Sequence, residues 1–173
     1  MRSLSRKVCL LGDFAVGKTS LINRYVYSIF EDKYVSTVGV KVSRKIVTIA
    51  GIGETIQLTM MLWDLADIGK FHHVQPSYLG GVAGAILVCD LTRPETLENL
   101  RTYAADVLNI NSKACLVLAA NKQDLVDRHL LTSRQIKAFA AEFEMSYYLT
   151  SAKTGTEVEA LFQHMGQVLL GQS

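Results

Sequence analysis

The chain has 173 residues, enough for one domain with a sizeable core and little beyond it. Hydrophobic residues make up 49% and charged residues 20%, which excludes an intrinsically disordered chain. Eighteen Lys and Arg against 16 Asp and Glu leave a formal net charge of +2, too weak to argue for nucleic acid or an acidic surface as partner.

Cys9, Cys89 and Cys115 each sit inside an apolar run and read as buried strand thiols. That pattern implies neither a disulfide framework nor a zinc site, and it fits a reducing compartment. The opening residues are basic but lead into no signal-type apolar segment. The longest apolar stretch, around 82–89, is far short of the roughly 18 residues a membrane span needs. A soluble, cytoplasmic protein is the expectation.

The first apolar run, 7–11, predicts a buried strand. It leads straight into Gly12-Asp13-Phe14-Ala15-Val16-Gly17-Lys18-Thr19, a G-x-x-x-x-G-K-[ST] pattern. The glycines let the backbone curl so that successive N–H groups face a diphosphate. The helix expected over 18–27 adds its positive end. Lys18 then reaches the β- and γ-phosphates, and the Thr19 hydroxyl is placed to ligate Mg²⁺. Gly12, Phe14, Ala15, Val16, Gly17, Lys18, Thr19 and Ser20 are the candidate phosphate-binding residues. Chance can produce such a turn; its place between a strand and a helix favours the functional reading.

Strands expected over 40–49 and 56–63 flank the turn Gly51-Ile52-Gly53-Glu54, so they should pair antiparallel. A helical pattern follows over 71–79. The continuous apolar runs at 85–90 and 114–120 read as parallel strands buried on both faces, with a helix over 94–108 between them. The second run ends in Asn121-Lys122-Gln123-Asp124. A carboxylate such as Asp124 can accept from both the N1–H and the 2-amino group of guanine, neither of which adenine offers. Unpaired buried groups give sites of this kind their discrimination.

A helix over 133–143 and a strand over 146–150 come next, and the strand ends in Thr150-Ser151-Ala152-Lys153. Backbone N–H groups there can meet the guanine O6, with the Lys153 stem over the ring. Each short motif alone is an ordinary polar turn. In order after a phosphate loop, each at a strand's carboxyl end, they point to a base site. A last helix is expected over 156–170. Capping-box spacing marks three helix starts, at Thr92/Glu95, Thr132/Gln135 and Thr156/Glu159. Apart from the hairpin, every connection fits a βαβ crossover, giving an α/β fold with a mostly parallel sheet.

With GDFAVGKTSLINRYV, STVGV, LVCDLTRPETLENL and NKQD in place, the chain resembles a Ras-superfamily small GTPase of the Rab-like branch over nearly its whole length. The resemblance implies a P-loop NTPase G domain over 1–173, with a six-stranded sheet, one antiparallel edge strand and about five helices. It implies GTP or GDP as ligand, Mg²⁺ as cofactor, and a role as a switch in signalling or vesicle trafficking. It also makes Phe30 the aromatic against the base, Thr37 the switch I ligand to Mg²⁺, and Asp64 an acidic residue holding Mg²⁺ through water. Protein effectors and regulators would read switch I and switch II, and the chain would be a monomer that binds no nucleic acid. No lipidation signal is read at either end.

Three departures fall on the hydrolytic side. The family's D-T-A-G-Q-E reads Asp64-Leu65-Ala66-Asp67-Ile68-Gly69 here, so Asp67 stands for the glycine that meets the γ-phosphate and Ile68 for the glutamine that orients water. Phe14 occupies a usually small position in the phosphate loop. Slow hydrolysis is expected, and a bulky Phe14 would obstruct an arginine finger, worth roughly 10³–10⁵ in rate. His72 is the catalytic candidate in the glutamine's stead, against the plainer reading of His72 and His73 as a solvated helix face. The turn at 50–54 makes the hairpin longer than usual, and VGVKV departs from Rab switch I, which puts standard Rab effectors in doubt. A pseudo-GTPase acting as a nucleotide-stabilised interaction module is the alternative. An ATP-using P-loop enzyme is disfavoured by Asp124.

Overall fold

Alternation in the first strand sets the architecture. In β1 (Arg2–Leu11) of the computed structural model, Val8 and Leu10 join the core on one face of the sheet and Cys9 and Leu11 the core on the other. A sheet buried on both faces needs helices on both. On the first face, α1 (Lys18–Tyr27) and α6 (Val158–Leu169) contribute Leu21, Tyr25, Leu161 and Phe162. The Tyr25 and Phe162 rings stack there at 4.1 Å. On the second face, α4 (Leu100–Ile110) and α5 (Ser133–Glu142) contribute Leu100, Val107, Ile136 and Phe139. The structure describes residues 2–51, 53–66 and 73–172.

The remaining strands are β2 (Val40–Ala50), β3 (Thr55–Leu65), β4 (Val82–Asp90), β5 (Cys115–Asn121) and β6 (Ser146–Leu149). They form one six-stranded sheet in the order β2-β3-β1-β4-β5-β6. Only β2 runs antiparallel, at the edge beside β3. The expected fold class therefore holds. The chain passes from β1 to the β2–β3 pair on one side and then from β3 across to β4 on the other side of β1, so a switch point opens at the carboxyl end of β1. The phosphate loop follows that strand.

Several element boundaries differ from expectation. β1 begins at Arg2 because Ser3 to Arg6 pair with Gln57 to Met60 despite their polarity. The helix expected over 94–108 is divided into α3 (Glu95–Glu98) and α4, since at Asn99 the bonding tightens to Thr102 N–H onto Asn99 O. Of the helix expected over 71–79, the described residues 73–75 are not helical; Gln75 is extended and α2 (Pro76–Leu79) starts at Pro76, while 71 and 72 lie outside the described residues.

One capping box of three forms. At α5 the Gln135 N–H donates to Thr132 Oγ1 at 3.2 Å and the Thr132 N–H donates to Gln135 Oε1 at 2.8 Å. Thr92 instead donates its hydroxyl to Asp90 Oδ1, and Pro94 caps α3. Thr156 pairs with the Thr154 hydroxyl, and α6 is entered through Glu157 at φ 56°. In both cases a side chain only two residues earlier captured the hydroxyl.

Cys9 and Cys89 are buried as expected, and burial, opposed by the charge of Lys7, pushes the Cys9 thiol up to about 11. Cys115 is half-buried, a correction to the reading of three buried thiols: it is the first residue of β5, at the strand's end, with its Sγ donating to Val168 O of α6 at 3.5 Å. Among the described residues no helix is long and apolar enough to cross a membrane.

Because only Thr132 makes the reciprocal cap, Thr132→Ala should cost about 1 kcal/mol. Thermal unfolding of the nucleotide-loaded protein should read this as a Tm about 2–4 °C lower. Thr156→Ala should lower it by less than half as much. Equal losses would remove the distinction.

Candidate nucleotide site

The phosphate loop is shaped by close approach. A Cβ on Gly12 would lie 2.2 Å from Val88 O, and one on Gly17, at φ 107°, would lie 2.2 Å from Asn121 Nδ2. Glycine at both places lets the loop fold down onto β4 and β5. Its carbonyls are then taken by side chains. Lys18, 7% exposed, donates through Nζ to Gly12 O at 2.6 Å and Asp13 O at 2.9 Å. Asn121 Nδ2 donates to Val16 O at 3.0 Å. The Asp13 carboxylate accepts from Asn99 Nδ2 at 2.6 Å and from the Tyr103 hydroxyl at 3.1 Å.

A cleft of about 390 Å³ opens over this loop. Phe14, Ala15, Gly17, Lys18, Thr19 and Ser20 line it from the phosphate loop, Phe30 and Thr37 from the connection after α1, and Asn121, Lys122, Asp124, Ala152 and Lys153 from the loops after β5 and β6. Gly12 and the buried Val16 and Ser151 lie behind the wall and support it. Phe30 also packs against the core beside α1, so its core and cleft readings both apply.

At the base end, Ser151 Oγ donates to Asp124 Oδ1 at 2.7 Å, which restrains the carboxylate beside the cleft that Asp124 lines. Lys122, at φ 70°, extends its Nζ to Asp90 Oδ2 at 2.7 Å. Arg24 secures the neighbouring loop: Nε donates to Ala152 O at 2.7 Å and Nη2 donates to Lys153 O. No local sequence signal marks Arg24, because its acceptors lie 128 and 129 residues away. Arg93, Asn99 and Tyr103 escaped sequence reading for the same reason.

At the phosphate end, Thr19 Oγ1 donates to Asp64 Oδ2 at 2.6 Å and lies 2.7 Å from Thr37 Oγ1. With its one hydrogen committed to Asp64, Thr19 accepts from Thr37. Asp64 is 2% exposed, and its Oδ1 is buried with no hydrogen-bond partner among the described residues. Burial pushes the Asp64 carboxyl above its ordinary range, against the Thr19 hydrogen bond and the charges of Lys18 and Lys41. Two hydroxyls and an orphaned carboxylate oxygen form the hard oxygen set that suits Mg²⁺. Thr19, Thr37 and Asp64 would hold that ion.

The glycine-bounded loop after β1 and the Asp124 carboxylate thus line one cleft. The family model described as Ras family matches residues 7–170. The chain belongs to the Ras family. It is 34% identical to the Ras-related protein RABD1 of Arabidopsis thaliana over 157 residues, covering 90% of this chain and 75% of that protein. The chain is therefore a Rab-like small GTPase, a family whose members bind GTP and GDP, generally with Mg²⁺.

Two features of this GTPase bear on the departures in its sequence. Phe14 is 51% exposed at the cleft mouth, its ring edge-on to Tyr34 at 5.1 Å. His73 Nδ1 lies 3.0 Å from Asp106 Oδ1, and the Val74 N–H donates to Asp106 Oδ2 at 2.8 Å, so His73 is turned toward α4. Asp67, Ile68 and His72 lie outside the described residues.

Ser151→Ala should free the Asp124 carboxylate and speed GDP release about tenfold, while Asp124→Ala should speed it roughly a hundredfold and erase the preference over ATP. Fluorescent nucleotide release with ATP competition measures both. A Ser151→Ala protein matching wild type would show that Asp124 needs no orienting partner.

Proposed function

We propose that this chain is a GTP/GDP switch that holds its nucleotide with Mg²⁺ in the cleft and hydrolyses GTP slowly. The observation that carries the binding half is the convergence of Lys18, Thr19 and Asp64 at one end and Asp124 with Ser151 at the other. Lys18 and the loop's N–H groups would hold the phosphates, with the positive end of α1 behind them. Bound Mg²⁺ would supply positive charge to the β- and γ-phosphate oxygens. The Asp124 carboxylate would select guanine, Lys153 would cover the ring, and Phe30 would close its far side.

The hydrolytic half rests on residue chemistry. Ile68 has no polar atom with which to orient water. The Asp67 carboxylate would set a like charge near the γ-phosphate if turned inward. The Phe14–Tyr34 contact supports the obstruction of an outside arginine, because both rings stand at the entrance such a group would use. His72 is the in-chain candidate for holding water; His73 is engaged by Asp106. A partner reading switch I would meet Val38, which is 92% exposed, whereas Val40, Trp63 and Tyr78 pack against the core.

Single-turnover GTP hydrolysis tests this directly. The wild-type rate should fall below the order of 10⁻⁴ s⁻¹ typical of intact intrinsic sites. Asp67→Gly with Ile68→Gln should raise it at least about tenfold, and His72→Ala should lower what remains. A wild-type rate at or above that order defeats slow hydrolysis.

The charge of Asp67 favours a second reading, a pseudo-GTPase serving as a nucleotide-stabilised interaction module. Affinities for GDP and a non-hydrolysable GTP analogue separate the two. A switch binds both and changes partner affinity between them; the inert module prefers GDP strongly and shows no such change.

A further inference from the structure

Lys18 and Asn121 do not account for every carbonyl of the phosphate loop. Phe14 O accepts from Arg93 Nη1 at 2.7 Å, a contact spanning 79 residues of sequence. A planar trans peptide carries its C=O and the following N–H on opposite edges. Pinning Phe14 O toward Arg93 therefore turns the Ala15 N–H the other way, toward the cleft that Ala15 lines. Ala15 needs such help, because its φ of 60° is a left-handed conformation that a Cβ disfavours. A charged donor on the carbonyl also polarises the peptide and strengthens its N–H toward an anion.

Arg93 is firmly mounted for this task. Its N–H donates to Asp90 O at 2.9 Å, and its carbonyl accepts from the Thr96 N–H at 3.0 Å and from Thr96 Oγ1 at 2.7 Å. The Asp90 carboxylate holds the same turn by accepting from the Thr92 N–H and hydroxyl. Arg93 Nε lies 3.3 Å from Glu95 Oε1, which orients the guanidinium and leaves Nη1 for the loop. The donor is thus fixed by its own turn before any ligand arrives.

We propose that Arg93 is a positioning residue for the nucleotide's phosphates, holding the Phe14–Ala15 peptide so that the Ala15 N–H faces the phosphate chain. It acts through the loop and not by touching the base or ribose. The proposal rests on the cleft's reading as a guanine nucleotide site, and GDP binding by the wild-type protein checks that reading separately.

The experiment is release of fluorescent GDP from the Mg²⁺-loaded full chain, with GMP and GDP affinities measured by competition. Arg93→Ala should speed GDP release about tenfold, and Arg93→Lys, which keeps a single charged donor, should fall between. GMP affinity should change by less than about threefold, so the GDP-to-GMP ratio falls with the release effect. In an Ala15→Gly background the Arg93→Ala effect should shrink to below about threefold, because glycine accepts the left-handed geometry without a tether. If Arg93→Ala does not fold, Arg93→Lys in the two backgrounds gives the same comparison. Unchanged GDP release overturns the proposal, as does an equal loss of GMP and GDP affinity or a full effect in the Ala15→Gly background. A wild-type protein that binds no GDP overturns the nucleotide reading as well.

Discussion

The whole site is referred to one side-chain amide. Asn121, at the carboxyl end of β5 and 2% exposed, donates through Nδ2 to Val16 O and accepts at Oδ1 from the Thr150 hydroxyl. It joins the phosphate loop after β1 to the base loops after β5 and β6. Only a group with a donor and an acceptor on one rigid plane can serve both partners: a carboxylate lacks the donor and an aliphatic residue lacks both. Removing it would leave a buried carbonyl and a buried hydroxyl unpaired, a cost that falls on both ends of the cleft together. Gly17 is the counterpart of this bond, since any Cβ there would occupy the space of the amide.

The metal corner is arranged on the opposite logic. Asp64 is buried with one oxygen bonded to Thr19 and the other without a partner among the described residues. Burial acts against its charge, and nearby Lys18 and Lys41 offset that only partly, leaving the carboxyl shifted upward. A divalent cation bound in this corner would reverse the balance, because its charge would favour the ionised carboxylate. Where Asn121 closes its bonds within the protein, Asp64 keeps one open. The two residues mark the structural and the ligand-dependent halves of the same cleft.

Local pattern carried the fold and much of the site. Alternating and continuous apolar runs gave all six strands, and the order of motifs put the phosphate and base residues at carboxyl ends. Phe14 and Lys18, Asp124 and Lys153 all line one cleft, as their motifs implied. What sequence could not supply was which of several competing polar partners, near or distant, each side chain takes. The hydroxyls of Thr92 and Thr156 have capping-box spacing but are used by Asp90 and Thr154. The break at Asn99 coincides with its bond to Asp13, 86 residues earlier. Arg24 and Arg93 hold loop carbonyls through contacts that no window of sequence contains. Hydrophobic period reports which face is buried, whereas the polar braces of a site depend on which loops the finished fold brings together.

That distribution of braces explains how the chain can depart from its family at the hydrolytic end and keep a binding cleft. The path of the phosphate loop is set by Lys18 within it, by Asn121 from β5, by Arg93 from the turn after β4, and by Asn99 and Tyr103 through Asp13. None of these depends on the side chain of residue 14. Phe14 can therefore stand where a small residue is usual, its ring half in solvent and resting edge-on against Tyr34, while its carbonyl stays bound to Arg93. A position whose backbone is held by others is free to vary in its side chain. In the proposed nucleotide complex the same backbone would serve the phosphates, so bulk added there would act on what reaches the γ-phosphate from outside and not on how the nucleotide is gripped.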